Sequence, residues 1–469
     1  MIMINMKNNI LLTGLSIILA LTGLSCSDNT DDNLPDNKVY IVNGGEQGTN
    51  VTLYDTGEKD IYNLHLYRSG KYGNAANVKV KILSQAEVDE YNLAHGTDYV
   101  VLPASVYSLL NTEVTYSSKD EDVDKSIQIE FDPATVRTIL EGNLANNYAI
   151  PVQIDNASVD VNTENNIAFV RPSVKDPLVY MGLTGFASYF YKPGDEVQSI
   201  SMDFPVNVDF KNLWDITCDI TANQDVLDEY NNDEGTFYTL LPAASYTLDN
   251  QVVIMNGKKK AVAKLNVDGT KLTYGNYCLP VVLNSVSKFE VDATRDTYLI
   301  GIFIEAPMLD RTGWAGVDWN TYASAGEGAN GSVDKLLDGD FLTYWHSQWT
   351  GGTTQNPNSP PFPHWFVIDM KKEYNVTQVD LARRNNNNSS TKDGEFYITS
   401  DDVPALVAAN KRDQIQWTKI GTFHMENKNE YQQFGTLKTK GRYLKVNITT
   451  SYNAGNVSSL SEVAVHGYE

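Results

Sequence analysis

Val78-Lys79-Val80-Lys81-Ile82 alternates apolar with cationic side chains, and Ile127-Gln128-Ile129-Glu130-Phe131 alternates apolar with polar ones. A period of two lines one face of an extended chain with apolar groups, so both segments predict half-buried strands. Between them, Gln85 to Ala94 predicts one or two helical turns, closed off by Leu102-Pro103 because proline continues neither a helix nor a central ladder. The same material returns downstream. Asp89-Glu90-Tyr91-Asn92 recurs as Asp228-Glu229-Tyr230-Asn231, Gly96-Thr97 as Gly235-Thr236, and Tyr99, Leu102-Pro103-Ala104 and Tyr107 as Tyr238, Leu241-Pro242-Ala243 and Tyr246. One constant offset relates all of these. Asn147-Tyr148 and Pro151-Val152 return later as Asn276-Tyr277 and Pro280-Val281. Two homologous domains follow, over 38–174 and 175–306. Their length and strand rhythm fit an Ig-like β-sandwich each, which makes the fold class all-β.

The last third, 307–469, is different material. Of the 7 Trp in the chain, six lie at or after Trp314, and Gly and Asn become more frequent. Trp365-Phe366-Val367-Ile368-Asp369, Tyr443-Leu444-Lys445-Val446-Asn447-Ile448 and Val463-Ala464-Val465-His466-Gly467 still read as strands. Trp345, Trp365 and Trp417 are expected in the core.

At the other end, Lys7 precedes an apolar run from Ile10 to Leu24. That run is short for a membrane span and suits a signal peptide over 1–25. The segment 26–37 is acidic and polar, a solvated linker. Cys218 and Cys278 lie in strand-like stretches of the second repeat and are open to two readings: a disulfide, or two small buried residues.

Three resemblances extend this reading. Leu21-Thr22-Gly23-Leu24-Ser25-Cys26 resembles a bacterial lipobox, with Leu24 one place closer to the cysteine than usual, and the acidic tether resembles that of Bacteroidetes-type lipoproteins. The resemblance implies lipidation at Cys26, an outer-membrane location exposed at the cell surface, and contact with the membrane only through the anchor. The pattern Tyr-x-x-Leu-Leu-Pro…Tyr followed by Tyr-x-Leu-Pro-Val, best matched from Tyr238 to Tyr246 and Tyr277 to Val281, resembles domain-of-unknown-function family 1735, which implies a surface spacer or platform. Lys335-Leu336-Leu337-Asp338-Gly339-Asp340-Phe341-Leu342-Thr343-Tyr344-Trp345 resembles the opening signature of the coagulation-factor 5/8 type C, or discoidin, family. The Trp365 strand, Thr399-Ser400-Asp401 with Trp417, Arg442 to Val446 and Ser461-Glu462-Val463 follow in the family's order. This implies a jelly-roll β-sandwich, and its sugar-binding branch is carbohydrate-binding module family 32.

The discoidin resemblance also implies ligands. A structural Ca²⁺ would take carbonyls of Lys335, Asp340 and Ser461, both oxygens of Thr343, and the carboxylates of Asp338 and Glu462; such hard oxygens in a tight loop are what Ca²⁺ requires. A sugar needs an aromatic platform and fixed polar groups. The family's His, Arg, Asn and aromatic carry over to His346, Arg384, Asn385 (or a neighbouring Asn through Asn388) and Trp349 or Tyr452. The Asn-Gly that often follows the Arg is here Asp393-Gly394, after a longer loop.

The formal net charge is −23, from 36 Lys+Arg against 59 Asp+Glu. That excludes nucleic acid and anionic lipid surfaces as natural partners, because both call for clustered cations. The sequence holds no Gly-x-Ser-x-Gly, His-Glu-x-x-His, Walker loop or Cys-x-x-Cys. The expectation is a non-catalytic surface glycan-binding lipoprotein that captures oligosaccharide for an outer-membrane import complex and its hydrolases. Two rivals are an adhesin for host or neighbouring protein and a glycoside hydrolase with an unrecognised site in the first two domains.

Overall fold

A computed structural model describes residues 37–469 apart from 46–47, 71–73, 120, 385–389, 429 and 454. The signal segment, most of the tether and Cys26 lie outside the described residues, as does Asn385. The chain divides into two compact units, Met1–Asp176 and Pro177–Glu469.

In the first unit, two sheets sandwich one apolar core. One runs in the order Asp160–Val161, Lys38–Ile41, Asp60–Ser69, Asp124–Phe131, Tyr107–Leu109. The other runs Thr49–Tyr54, Ile167–Lys175, Asn147–Ala157, Ala76–Ile82, Glu113–Tyr116, with Tyr99–Val101 beside Asn147–Ala157. The alternation that marked Ala76–Ile82 as a strand puts Val78 and Val80 in the core, opposite Ile127, Ile129 and Phe131 of the facing sheet. The second repeat reproduces this arrangement strand for strand. Its sheets are Glu290–Val291, Leu178–Met181, Ile200–Val208, Lys260–Val267, Tyr246–Leu248, and Gly185–Tyr191, Thr297–Ile304, Gly275–Val286, Ile216–Ala222, Gln251–Ile254.

The segment between strands is a full helix, Gln85–His95, and its counterpart is Gln224–Glu234. Proline does not end them. Gly96 and Gly235 do, at φ 69 and 63, a left-handed conformation that costs glycine least. Asn92 then clamps the helix to the returning strand: its Nδ2 donates to the Tyr99 carbonyl at 2.9 Å, and its Oδ1 accepts from the Tyr99 amide at 3.0 Å and from Thr97 Oγ1 at 2.8 Å. Asn231, Thr236 and Tyr238 repeat the clamp at 2.9 Å throughout. This accounts for the recurrence of Asn, Gly-Thr and Tyr at fixed spacing. A helix at Pro133–Gly142, capped by Asp132, belongs to the first repeat alone; the second has one 3-10 turn, Gly269–Lys271, in its place. Cys218 and Cys278 are free and buried, which resolves the open reading against a disulfide.

The C-terminal sandwich is wound from long bent strands. The first half of His364–Ala382 pairs with Ala315–Trp319 and the second half with Glu462–Tyr468, with register breaks between Asp369 and Tyr374 and between Val376 and Gln378. Tyr431–Ser451 spans both halves and also pairs with Thr391–Thr399, beyond which lies Thr418–His424. Trp345 is fully buried in this core against Phe366, as expected. Trp365 and Trp417 lie outside this main core: both are half-buried and pack against a smaller cluster of Val367, Val403, Ile415 and Tyr443. Phe366 takes the inward position of its strand, so Trp365 must face out. A short ribbon, Trp345–His346 with Ser459–Leu460, positions the candidate site.

Candidate functional site

The ribbon carries functional loops at both ends. Tyr344 precedes it, Trp349 follows, and Arg384 approaches from the end of His364–Ala382. Glu327, from a glycine-rich loop, ties these together. Its Oε1 accepts from Trp349 Nε1 at 2.7 Å and its Oε2 from the Tyr344 hydroxyl at 2.6 Å. Arg384 stands 3.5 Å from the same carboxylate, and its guanidinium lies 3.5 Å from the centre of the Tyr344 ring. Gly326 allows this approach: a Cβ there would sit 2.6 Å from Thr350 and 3.0 Å from the Trp349 ring. The Trp349 indole remains 44% exposed, so the platform is open while its N–H is fixed.

His346 is buried beside this cluster. Its Nδ1 lies 2.6 Å from the Ser347 carbonyl, so Nδ1 carries the proton and Nε2 is the acceptor. Burial pushes the imidazole below its ordinary pKa, with Arg384 acting the same way against the Ser347 carbonyl and Glu327, which favour the cation. A neutral acceptor, a fixed cation and an indole face together make a set suited to adjacent hydroxyls on a ring with an apolar face.

The loop behind the platform is held from beneath. Buried Gln348 accepts from the Ser324 amide and hydroxyl at 2.8 and 2.9 Å and from Asn356 Nδ2 at 3.0 Å. Ser347 and Ser458 exchange hydrogen bonds at 2.9 and 3.0 Å, and His364 Nδ1 lies 2.7 Å from the Ser458 hydroxyl. Tyr452 stands apart from the Glu327 cluster. Its hydroxyl donates to the Met425 carbonyl at 2.5 Å and its ring lies 5.3 Å from the Arg383 guanidinium. Asp393 is not part of the site either; it is on Thr391–Thr399, bonded to Thr450 and His424. Of the two candidate aromatics, Trp349 is tied into the Glu327 cluster and Tyr452 is held at Met425, and both rings are exposed, at 44% and 41%. Glu327 and Tyr344 join the candidate cluster, and neither is a candidate ligand-binding residue from the sequence alone.

At the other end of the ribbon, five oxygens crowd one point. Thr343 Oγ1 lies 2.8 and 2.9 Å from the two Asp338 oxygens, 3.0 Å from the Asp340 carbonyl and 3.3 Å from the Lys335 carbonyl. A hydroxyl has one proton and cannot satisfy four acceptors. Buried Glu462 is turned toward the same region. One of its oxygens, Oε2, accepts from Arg311 and from the Tyr431 hydroxyl at 3.4 Å, while Oε1 is buried with no hydrogen-bond partner among the described residues, the Gly339 amide being the backbone donor that favours the charged carboxylate. Burial raises the Glu462 pKa, the Asp338 charge adds to this, and Arg311 offsets it. Burial also works against the Asp338 carboxylate, but hydrogen bonds from Thr343 and the Asp340 amide, with Lys335 nearby, hold its pKa below the ordinary value. An orphaned buried carboxylate oxygen facing a surplus of lone pairs fits a hard divalent cation. Ser461 is buried, with its hydroxyl donating to the Arg383 carbonyl at 2.8 Å.

Comparison with known proteins agrees with this architecture. A model of an N-terminal domain family matches residues 35–161 and again 179–290, about half of the chain in all, and the chain belongs to that family. The model of the F5/8 type C domain matches residues 319–463. The last third is a discoidin-like domain. Galactose oxidase of Gibberella zeae is 24% identical over 153 residues, 32% of this chain and 20% of that protein. The chain thus spans about a fifth of the length of the curated relatives it matches. Among solved structures, the discoidin-like domain is similar to the C-terminal domain of a chitobiase from Bacteroides fragilis, at 28% identity over 34% of this chain and 97% of that one, with a TM-score of 0.29. It is also similar to a family 32 carbohydrate-binding module from C. perfringens solved with galactose, at 15% identity over 34% and 98% of the two chains, with a TM-score of 0.27.

Proposed function

We propose that this protein is a non-catalytic glycan-binding lipoprotein of the outer-membrane surface, and that its discoidin-like domain holds an oligosaccharide against Trp349. The observation that carries this is the Glu327 cluster. One carboxylate orients an exposed indole, a tyrosine and an arginine beside a neutral histidine. The indole takes the apolar face of a pyranose; Arg384 donates to its hydroxyls and His346 Nε2 accepts from them. Asn385 and its neighbours through Asn388, candidates for the same ligand from the sequence, lie outside the described residues.

A Ca²⁺ ion belongs to the reading as a brace. The carbonyls of Lys335, Asp340 and Ser461, both Thr343 oxygens, Asp338 and Glu462 would hold it. Bound there, it neutralises the two carboxylates and pins the two strands of the ribbon, so Tyr344, His346 and Trp349 keep their places. Lipidation at Cys26 anchors the chain, the two repeats act as spacers, and an outer-membrane glycan import complex receives the captured sugar.

The test is a glycan array probed with residues 27–469, with and without chelator. Saturable binding to a defined set of glycans, weakened by chelator, supports the reading. No glycan signal at high protein concentration excludes it, and turnover of a bound glycan replaces it with a hydrolase.

A further inference from the structure

The outer face of the discoidin-like sheet is only partly covered. Helix Val403–Ala408 and the turn after it lie over Val367 and Tyr443, where Val403 and Ile415 make a small satellite core. The helix is short, and Asn410 turns the chain away at φ 59. What stays uncovered is a groove of about 760 Å³ walled by Trp365 and Trp417, with Lys445 in its floor and Arg412, Asn410 and Asp413 at its rim. It shares no residue with the Trp349 site.

Two carboxylates, Asp318 and Asp413, and two cations, Arg412 and Lys445, line this groove, but only one pair is joined. Arg412 is taken by Asp318 through two bonds of 2.8 and 2.7 Å. Glu395, a further carboxylate near Lys445 besides Asp413 of the lining, accepts from Lys419 at 2.8 Å, Tyr397 at 2.7 Å and Asn447 at 3.1 Å. Lys445 Nζ lies over ring faces, 4.7 Å from Trp365 (which Arg412 also faces, at 5.6 Å), 5.5 Å from Trp417 and 5.8 Å from Tyr397, and makes no hydrogen bond to an acceptor among the described residues. Burial, with Arg412 adding to it, lowers the Lys445 pKa, while Asp318 and Glu395 act the other way. A half-buried ammonium with three N–H donors and no acceptor is a place for one anion.

We propose that this groove is a second ligand site and that it takes a sugar residue bearing a carboxylate, with the pyranose against Trp417 and Trp365 and the carboxylate on Lys445. Two indole faces in an open groove favour a saccharide over a small inorganic anion. One uncommitted cation, with Asp413 at the rim and a chain charge of −23, favours a monoanionic unit over a phosphate or a polyanion. Asn410 offers its side-chain amide to a ring hydroxyl.

The experiment titrates residues 27–469 with a galacturonic-acid oligosaccharide and with its methyl ester, read by calorimetry and tryptophan fluorescence. The acid form binds saturably, and the ester binds about tenfold or more weakly, because it keeps the ring and loses the charge. Lys445→Gln and Trp417→Ala each weaken the acid form about tenfold. A neutral glycan that saturates the Trp349 site leaves the acid titration in place, which separates this site from the one above, and full competition by that glycan overturns a second site. Asp413→Asn strengthens acid binding. Equal binding of acid and ester, or no binding of the acid, overturns the proposal on the unaltered protein. So does full retention in both Lys445→Gln and Trp417→Ala. Binding of a sulfated neutral oligosaccharide without binding of the uronate overturns the carboxylate assignment.

Discussion

A carboxylate that accepts from Trp349 Nε1 and the Tyr344 hydroxyl at once has both oxygens committed before Arg384 is counted. Glutamine at 327 keeps one acceptor, replaces the other with a donor, and removes the charge facing Arg384. Glu327→Gln should therefore weaken glycan binding about tenfold, with a melting temperature close to that of the parent protein. His346 gives a second prediction. Its pKa lies below the ordinary value of about 6.5. The neutral acceptor form therefore persists through the range where a free imidazole titrates. Glycan affinity should be flat from pH 8 to 6.5 and fall only at more acidic pH, and a fall centred above 6.5 would contradict this tautomer. Trp349, Arg384 and His346 are candidates from sequence because the discoidin resemblance carries a histidine, an arginine and an aromatic onto these positions. Glu327 is not, since an acid between two glycines reads as a solvated turn. Tyr344 was hidden between the metal-loop motif and a core tryptophan, and its role appears only when the fold brings residue 327 to it.

The elements supply the next level of test. The loop from Lys335 to Thr343 and the strand entering Glu462 meet at opposite edges of one ribbon, and a cation there joins them. Glu462 has a raised folded-state pKa. Without metal, its contribution to stability is present below its unfolded value of about 4.3 and is lost as pH rises through the folded value. Ca²⁺ needs the deprotonated carboxylates, so it should raise the melting temperature by several degrees near neutral pH and by little near pH 4. Asp338→Asn or Glu462→Gln should abolish that difference. In the repeats, Asn231→Ala removes three hydrogen bonds at the helix end and should cost about 1–3 kcal/mol by denaturant unfolding. The repeated letters were read correctly as homology, but their cause, an asparagine clamp behind a left-handed glycine, is a matter of φ and of hydrogen bonds between distant backbone groups. The same blindness assigned the helix end to Leu102-Pro103 and placed Trp365 in the core: alternation identifies a strand, and only the opposite sheet decides which row is covered.

Across the molecule, the second repeat and the discoidin-like domain belong to one compact unit, and His466 is one of the ties between them. Its Nε2 meets Asp380 at 3.1 Å and its Nδ1 the Ala306 carbonyl at 2.9 Å. Burial disfavours the imidazolium, but Asp380, the Ala306 carbonyl and Glu305 outweigh it and raise the pKa. That stability is fully present below about pH 6.5 and is lost as pH rises through the raised value. The unit should melt lower at pH 9 than at pH 6, and His466→Ala should flatten the dependence. The division into repeats and a distinct last third was visible in composition and internal homology; the tie at His466 was not, because a lone histidine near the end of a strand carries no mark of its partners.

The measurement closest to the central claim is a calorimetric titration of residues 27–469 with an oligosaccharide that scores on the array. The double variant Trp349→Ala/Arg384→Ala is run beside it in the presence of Ca²⁺. Binding by the parent protein and loss of at least about a hundredfold in affinity in the folded variant is the predicted result. Equal affinity in both would place the sugar elsewhere and contradict the site built around Glu327.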